Sequence, residues 1–147
     1  MTTTTALDAD AAVLDCLERW AAAVRAKDLE GITAFYTPEI VAFDAIAQLQ
    51  FQGLAAYRRH WETCLGFCQG PMEFRLHEVT LHAEAHVAFC HALIECGGAN
   101  EQGEMESGWM RMTAGLRRIE GEWHIVHEHH SAPFDMESGK ALLDLAP

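Results

Sequence analysis

The chain has 147 residues, about the length of one domain, and a chain of that size buries roughly 68–70% of the surface its unfolded form exposes. Half of the residues are apolar and 22% are charged, a globular composition that excludes a disordered or collagen-like chain. Lys and Arg number 10 against 22 Asp and Glu, and the resulting charge of −12 repels phosphate backbones and anionic lipid, which counts against nucleic acid and membrane surfaces as partners.

The first periodic stretch predicts an amphipathic helix over residues 7–26, with Leu14, Leu17, Ala21 and Val24 spaced by three and four and Val13 and Trp20 widening the stripe. Asp28 caps a second helix carrying Leu29, Ile32, Phe35 and Tyr36, which Pro38 is expected to stop. Ile40 to Phe43 reads as a short strand. Gly53 precedes a third helix over 54–65, in which Tyr57, Trp61 and Leu65 recur every four residues; Gly66, Gly70 and Pro71 close it. After Pro71 the period falls to near two. Met72, Phe74 and Leu76, then Val79 and Leu81 with the phase slipped by one, predict a bulged strand. Val87, Phe89, His91 and Leu93 alternate in a second long strand, broken at Gly97 and Gly98, and Met110, Met112, Ala114 and Leu116 in a third. Glu120-Gly121 turns the chain into a last strand, with Trp123, Ile125, His127 and His129 on one face and His124, Val126, Glu128 and His130 on the other, until Pro133.

Helices first and an antiparallel meander after them predict an α+β fold: a cone-shaped curved antiparallel sheet packed on three N-terminal helices. The expected organisation is a disordered segment 1–6, one domain over 7–133 and a tail over 134–147. No apolar run approaches the roughly 20 residues of a membrane span, and the threonine-rich start lacks the basic and apolar parts of a leader, so a cytoplasmic chain is expected. Cys16, Cys64, Cys68, Cys90 and Cys96 are odd in number and hold no Cys-x-x-Cys pair, which points to unpaired thiols, including Cys64 and Cys68 one helical turn apart.

Two segments resemble a known superfamily. Arg19-Trp20-Ala21-Ala22-Ala23-Val24-Arg25-Ala26-Lys27-Asp28-Leu29-Glu30-Gly31-Ile32, followed by Phe35-Tyr36, resembles the paired opening helices of ketosteroid isomerases. Leu116-Arg117-Arg118-Ile119-Glu120-Gly121-Glu122-Trp123-His124-Ile125-Val126-His127-Glu128-His129-His130-Ser131 is similar to the last hairpin of the association domain of calcium/calmodulin-dependent protein kinase II and of SnoaL-like proteins. Both belong to the nuclear-transport-factor-2-like superfamily, one scaffold that hosts many chemistries.

The resemblance places the general-base aspartate of ketosteroid isomerase on Asp44. It places the oxyanion-hole tyrosine on Trp20 and the oxyanion aspartate at or near Ala114, neither of which supplies the needed donor, so it argues against steroid isomerisation. A pocket tyrosine falls on Trp61, the pocket face of the last strand on Val126, Glu128 and His130, and His130 stands where the kinase association domain is basic. Asp44 with His130 is the expected acid/base pair, with Glu128 as the second carboxylate. Trp20, Tyr57, Trp61, Met112, Ala114 and Val126 are the expected ligand wall. The structural alternatives are that Asp44 caps a loop, that Glu128 pairs with Arg111 or Arg117, and that Tyr36, Trp109 and Trp123 fill the core.

His127 and His129 point to one side of a strand, as two metal ligands must, but a third would have to come from His86, His91 or Glu95 at no recognised spacing. No metal and no cofactor are therefore expected. His60, His77, His82 and His124 read as solvated. Two function classes follow: a pocket protein acting on a small hydrophobic carbonyl compound by cofactor-independent acid/base chemistry, as an isomerase, cyclase or hydrolase, or a non-catalytic binding or oligomerisation module. The exposed sheet face with His127, His129 and Trp109 predicts a homodimer.

Overall fold

The computed structural model describes residues 6–147: of the segment 1–6 expected to be disordered, residues 1–5 lie outside the described part and residue 6 opens the first helix. Helix α1 (Ala6–Arg25) buries Val13, Cys16, Leu17, Trp20, Ala21 and Val24, the stripe its spacing predicts. Helix α2 (Leu29–Thr33) starts at Asp28, whose carboxylate accepts from the Gly31 N–H at 3.1 Å. Strands β1 (Tyr36–Phe43) and β2 (Phe51–Gln52) precede α3 (Leu54–Gly66), and four long strands follow: β3 (Met72–Ala83), β4 (Val87–Ala99), β5 (Met105–Ile119) and β6 (Glu122–Ser131). Their order in one six-stranded sheet is β2-β1-β6-β5-β4-β3. Among the described residues no helix is long and apolar enough to cross a membrane.

Four sequence expectations are corrected here. The sheet is mixed, because β1 returns beside β6 in parallel while every other pair is antiparallel. The second helix ends at Thr33, and Tyr36 opens β1: Phe35 O accepts from the Ile125 N–H at 2.7 Å, so pairing with the last strand overrides local helical preference. Pro38 sits inside β1, in the stretch between Tyr36 and Val41 where the ladder to β6 is irregular and its missing N–H costs no bond. In β4 the buried face is Ala88, Cys90, Ala92 and Ile94, and Phe89 is 50% exposed. Both faces of that strand are apolar, so periodicity alone does not choose between them; the small residues face the core. Gly97 and Gly98 do not break the strand. A Cβ on Gly97 would stand 1.9 Å from the Glu106 carbonyl oxygen, so this residue is glycine because β5 approaches too closely for a side chain.

Two irregularities set the curvature and the facing of side chains. In β3 the register slips between His77 and Thr80 around Glu78, whose φ is 52°, as the phase change predicts. Between β5 and β6, Gly115 pairs with His127 but Leu116 pairs with Ile125, leaving Val126 as the extra residue. The β5–β6 turn uses Glu120 and Gly121, both at positive φ, the geometry a two-residue hairpin of type I′ requires.

The core lies between α1, α3 and the concave face of the sheet, with Trp20, Leu17, Ile32, Ile40, Leu116 and Ile125 fully buried. The tail over 134–147 returns to the sheet: the Trp109 N–H donates to Leu143 O at 2.8 Å, and Phe134 and Ala141 form an isolated bridge. Trp109 is thus half-buried against the tail and His77, and is not part of an open sheet face. The outer face instead carries a row running across five strands: His82 beside Phe89, Phe89 opposite Gly115, Gly115 opposite His127, and the His127 ring 4.8 Å from Phe43.

Leu116, fully buried, and Phe67, 84% exposed, make a stability test of this core. Leu116→Ala is expected to cost about 2–5 kcal/mol in urea unfolding, whereas Phe67→Ala is expected to stay within about 0.5 kcal/mol of wild type.

Candidate functional site

A cavity of about 100 Å³ opens at the mouth of the cone, with Asp44, His60, Tyr57, Trp61 and His130 among its lining residues and Phe74 and Met110 completing an apolar wall. Three elements supply the chemistry. Asp44 follows the last residue of β1, Tyr57, His60, Trp61 and Cys64 lie on one face of α3, and Glu128 and His130 share the concave face of β6.

Glu128 is 0% exposed at the base of this arrangement. Its Oε2 accepts from the Tyr57 hydroxyl at 2.9 Å and from His130 Nε2 at 2.7 Å, while Oε1 has no hydrogen bond of ordinary geometry. Tyr36 stands beside it: its hydroxyl oxygen accepts from Trp20 Nε1 at 2.9 Å and Trp61 Nε1 at 3.1 Å, which leaves its own proton to face Glu128. Burial, reinforced by the Glu128 charge, pushes both tyrosines well above the usual phenol range, so both remain neutral donors. For His130 burial opposes the charged form, but the hydrogen bond and charge of Glu128, with Asp44 adding to them, outweigh burial and raise its pKa.

On the opposite wall Asp44 and His60 form a second dyad through Oδ2 and Nε2, with side chains 13% and 6% exposed. The other Asp44 oxygen accepts from the Ala45 N–H at 2.7 Å, so the loop-capping role is also present. Phe51 stacks on the His60 ring at 4.1 Å. Cys64 lies one turn further along α3, with Sγ 3.6 Å from His60 Nε2, and burial together with the Asp44 charge pushes its thiol up to about 11.

Of the predicted site residues, Asp44, His130, Tyr57 and Trp61 line one cavity, and the polar ones are paired differently. Asp44 and His130 both line it, yet each binds another partner: Asp44 takes His60 and His130 takes Glu128. Glu128 does not pair with Arg111 or Arg117; it is fully buried, and Arg111 donates to Ser131 Oγ at 3.0 Å. Tyr57 and Trp61 line the cavity, whereas Trp20 lies behind it, its ring 6.3 Å from that of His130. Met112 and Ala114 pair in register with His130 and Glu128 but are core residues, and Met110 supplies the wall instead. Val126 is displaced by the bulge, which puts Ile125 in the core.

His60 is not solvated. It belongs to the stripe Tyr57, His60, Trp61, Cys64 and Leu65, whose spacing of three and one would have found it had the imidazole been counted with the apolar positions. His77 is half-buried against Glu95, 3.4 Å away, and Trp109. His127 Nδ1 contacts Val41 O at 2.5 Å, and His127 and His129 both set their rings against Phe43, away from the cavity. Among the described residues the three side chains whose ligating atoms converge are Asp44, His60 and Cys64.

Residues 13–135 match the model of the SnoaL-like domain family. No curated protein matches the chain. Among solved structures, a nuclear-transport-factor-2-like protein of unknown function from Pseudomonas putida KT2440 is 47% identical, covering 99% of this chain and 100% of that one, with a TM-score of 0.88. A candidate dehydratase of the nuclear-transport-factor-2-like family from Streptomyces avermitilis is 14% identical over 86% of this chain and 97% of that one, at a TM-score of 0.77. The association domain of calcium/calmodulin-dependent protein kinase II from C. elegans is 15% identical over 88% and 99%, at 0.72. The last two share the fold.

The coupling of His130 to its neighbours yields a titration test. Glu128→Gln is expected to lower the His130 pKa followed by NMR, and Asp44→Asn to lower it less. Because the folded value is raised, His130 contributes stability that is full below about pH 6.5, the unfolded value, and is lost as pH rises through the folded value. Urea midpoints of wild type should show that decline and Glu128→Gln a weaker one.

Proposed function

The chain belongs to the SnoaL-like family, and from that premise we propose that its cone binds a small hydrophobic carbonyl compound and moves a proton on it, as an isomerase, cyclase or hydrolase that needs no organic cofactor. The observation that carries the reading is the meeting of two carboxylate–imidazole dyads, Asp44 with His60 and Glu128 with His130, across one cavity of about 100 Å³. A proton removed beside a carbonyl needs an acceptor on one side and a donor on the other.

Asp44, held by His60, takes the proton; His130, whose charged form buried Glu128 favours, donates to the oxygen or returns the proton. Tyr57 holds Glu128 in place, and its hydroxyl spends its proton there, so Tyr57 positions the dyad and does not itself supply an oxyanion hole. Trp61, Phe74 and Met110 keep water sparse, which strengthens each charge. The cavity suits a compact ligand. Likeness in fold to a candidate dehydratase supports chemistry of this general class.

A second reading, a binding or oligomerisation module, is favoured by the row of His82, Phe89, His127 and Phe43 on the outer sheet, where Phe43 and Phe89 are exposed, and by the likeness to a kinase association domain. The two readings are compatible, because the cavity opens on the concave side.

The chemical reading is tested by incubating a panel of small hydrophobic ketones with the protein in deuterium oxide and following deuterium at the carbon beside the carbonyl by NMR. Wild type is expected to exchange at least one of them, and Asp44→Asn and His130→Gln to be about 10²–10⁴-fold slower; equal rates in all three proteins would remove the acid/base assignment. Light scattering at micromolar concentration is expected to give the mass of two chains, and a mass of one chain would remove the dimer.

A further inference from the structure

The Asp44 wall of the cavity converges in a way the acid/base reading does not use. His60 and Cys64 are four residues apart on α3 and so project from one face, and Asp44 meets them from the end of β1. One carboxylate oxygen, one imidazole nitrogen and one sulfur lie within 4.8 Å of one another. We propose that Asp44, His60 and Cys64 form a binding site for a divalent transition ion of the zinc type, with its open position facing the cavity.

The distances fit. A tetrahedral ion with Zn–N near 2.0–2.1 Å and Zn–S near 2.3 Å holds its nitrogen and sulfur about 3.6 Å apart, and His60 Nε2 lies 3.6 Å from Cys64 Sγ. Asp44 Oδ2 contacts the same Nε2 more closely than the roughly 3.3–3.5 Å that separates an oxygen and a nitrogen on one tetrahedral ion, so the carboxylate draws back from His60 as the ion replaces the proton that the two share. The supporting contacts are also built: Phe51 stacks on the imidazole at 4.1 Å, and the Ala45 N–H holds Asp44 Oδ1 at 2.7 Å, directing Oδ2 to the site.

Charge and softness select the ion. On binding, the thiol releases its proton to solvent as the metal–sulfur bond forms, and His60 ligates through Nε2 with its proton on Nδ1. A carboxylate and a thiolate then neutralise a dication, which suits an apolar cavity. A mixed oxygen, nitrogen and sulfur set favours zinc or cobalt over magnesium or calcium, which take oxygen ligands.

Three protein ligands leave a fourth position for water or a carbonyl oxygen, the pattern of catalytic sites. The inference goes beyond the acid/base reading: with the ion bound, Asp44 is a ligand and the wall becomes electrophilic, opposite His130. It also revises the expectation of no metal, which was drawn from His127 and His129 on the other face.

The test is titration of the whole protein with Co²⁺ alone and then Zn²⁺ alone, without substrate, so its outcome is independent of whether the cone turns anything over. One Co²⁺ per chain is expected, with a thiolate-to-cobalt charge-transfer band and the intense visible bands of a tetrahedral site, and Zn²⁺ should displace it. Cys64→Ala, and Cys64→Ser as a near-isosteric second variant, should abolish the charge-transfer band and weaken binding by more than the roughly 10–100-fold that outer contacts carry. Cys68→Ala, beyond the end of α3, should leave both unchanged. Absence of stoichiometric binding, or a thiolate band that survives in folded Cys64→Ser, would overturn the site.

Discussion

A carboxylate with no access to water sits at the centre of this protein, and the surrounding chain is arranged to keep it there. Burying an ion costs several kcal/mol unless it is hydrogen-bonded and paired. Glu128 meets that demand with the Tyr57 hydroxyl and the His130 imidazole, and Tyr36 directs a proton toward it while accepting from two indoles. Each partner comes from a different element: α3, β6, β1 and, through Trp20, α1. The polar cluster therefore ties the helices to the sheet as surely as the apolar core does, and removal of any one partner leaves a buried charge short of a bond.

The bulge in β6 makes this possible. If Val126 took a regular place in the ladder, strict alternation would put Ile125 and Glu128 on opposite faces, and the strand would lose either its core residue or its cavity carboxylate. With it, Ile125, Glu128 and His130 all face inward. The parallel return of β1 beside β6 then brings Asp44 to the same mouth, and α3 lays His60 against it. The result is two dyads of like composition in unlike settings, one sealed beneath aromatic rings and one at the rim beside a thiol.

This arrangement also explains why family membership leaves the chemistry open. The fold shares a cone with proteins of very different roles, and the positions on which the sequence resemblance sets the oxyanion donors of ketosteroid isomerases are Trp20 and Ala114. Trp20 donates to Tyr36, and Ala114 lies in the core opposite Glu128. Catalytic capacity in such a scaffold depends on which polar side chains the walls carry and what they bond, not on the walls themselves.

The amino-acid sequence by itself determined the helices α1 and α3, the bulged β3, the β5–β6 hairpin and the presence of Asp44, Tyr57, Trp61, Glu128 and His130 in one cone, because periodicity, turn residues and a family-like pattern are local signals. It misplaced Tyr36, the buried face of β4 and His60, and it did not find the imidazole that Asp44 hydrogen-bonds. Those were decided by the tertiary structure, since they depend on contacts between residues far apart in the chain: Phe35 with Ile125, Asp44 with His60, Tyr57 with Glu128. A strand with two apolar faces carries no mark of which one is covered, and an imidazole in a helical stripe carries no mark of its partner; packing against the sheet chose both.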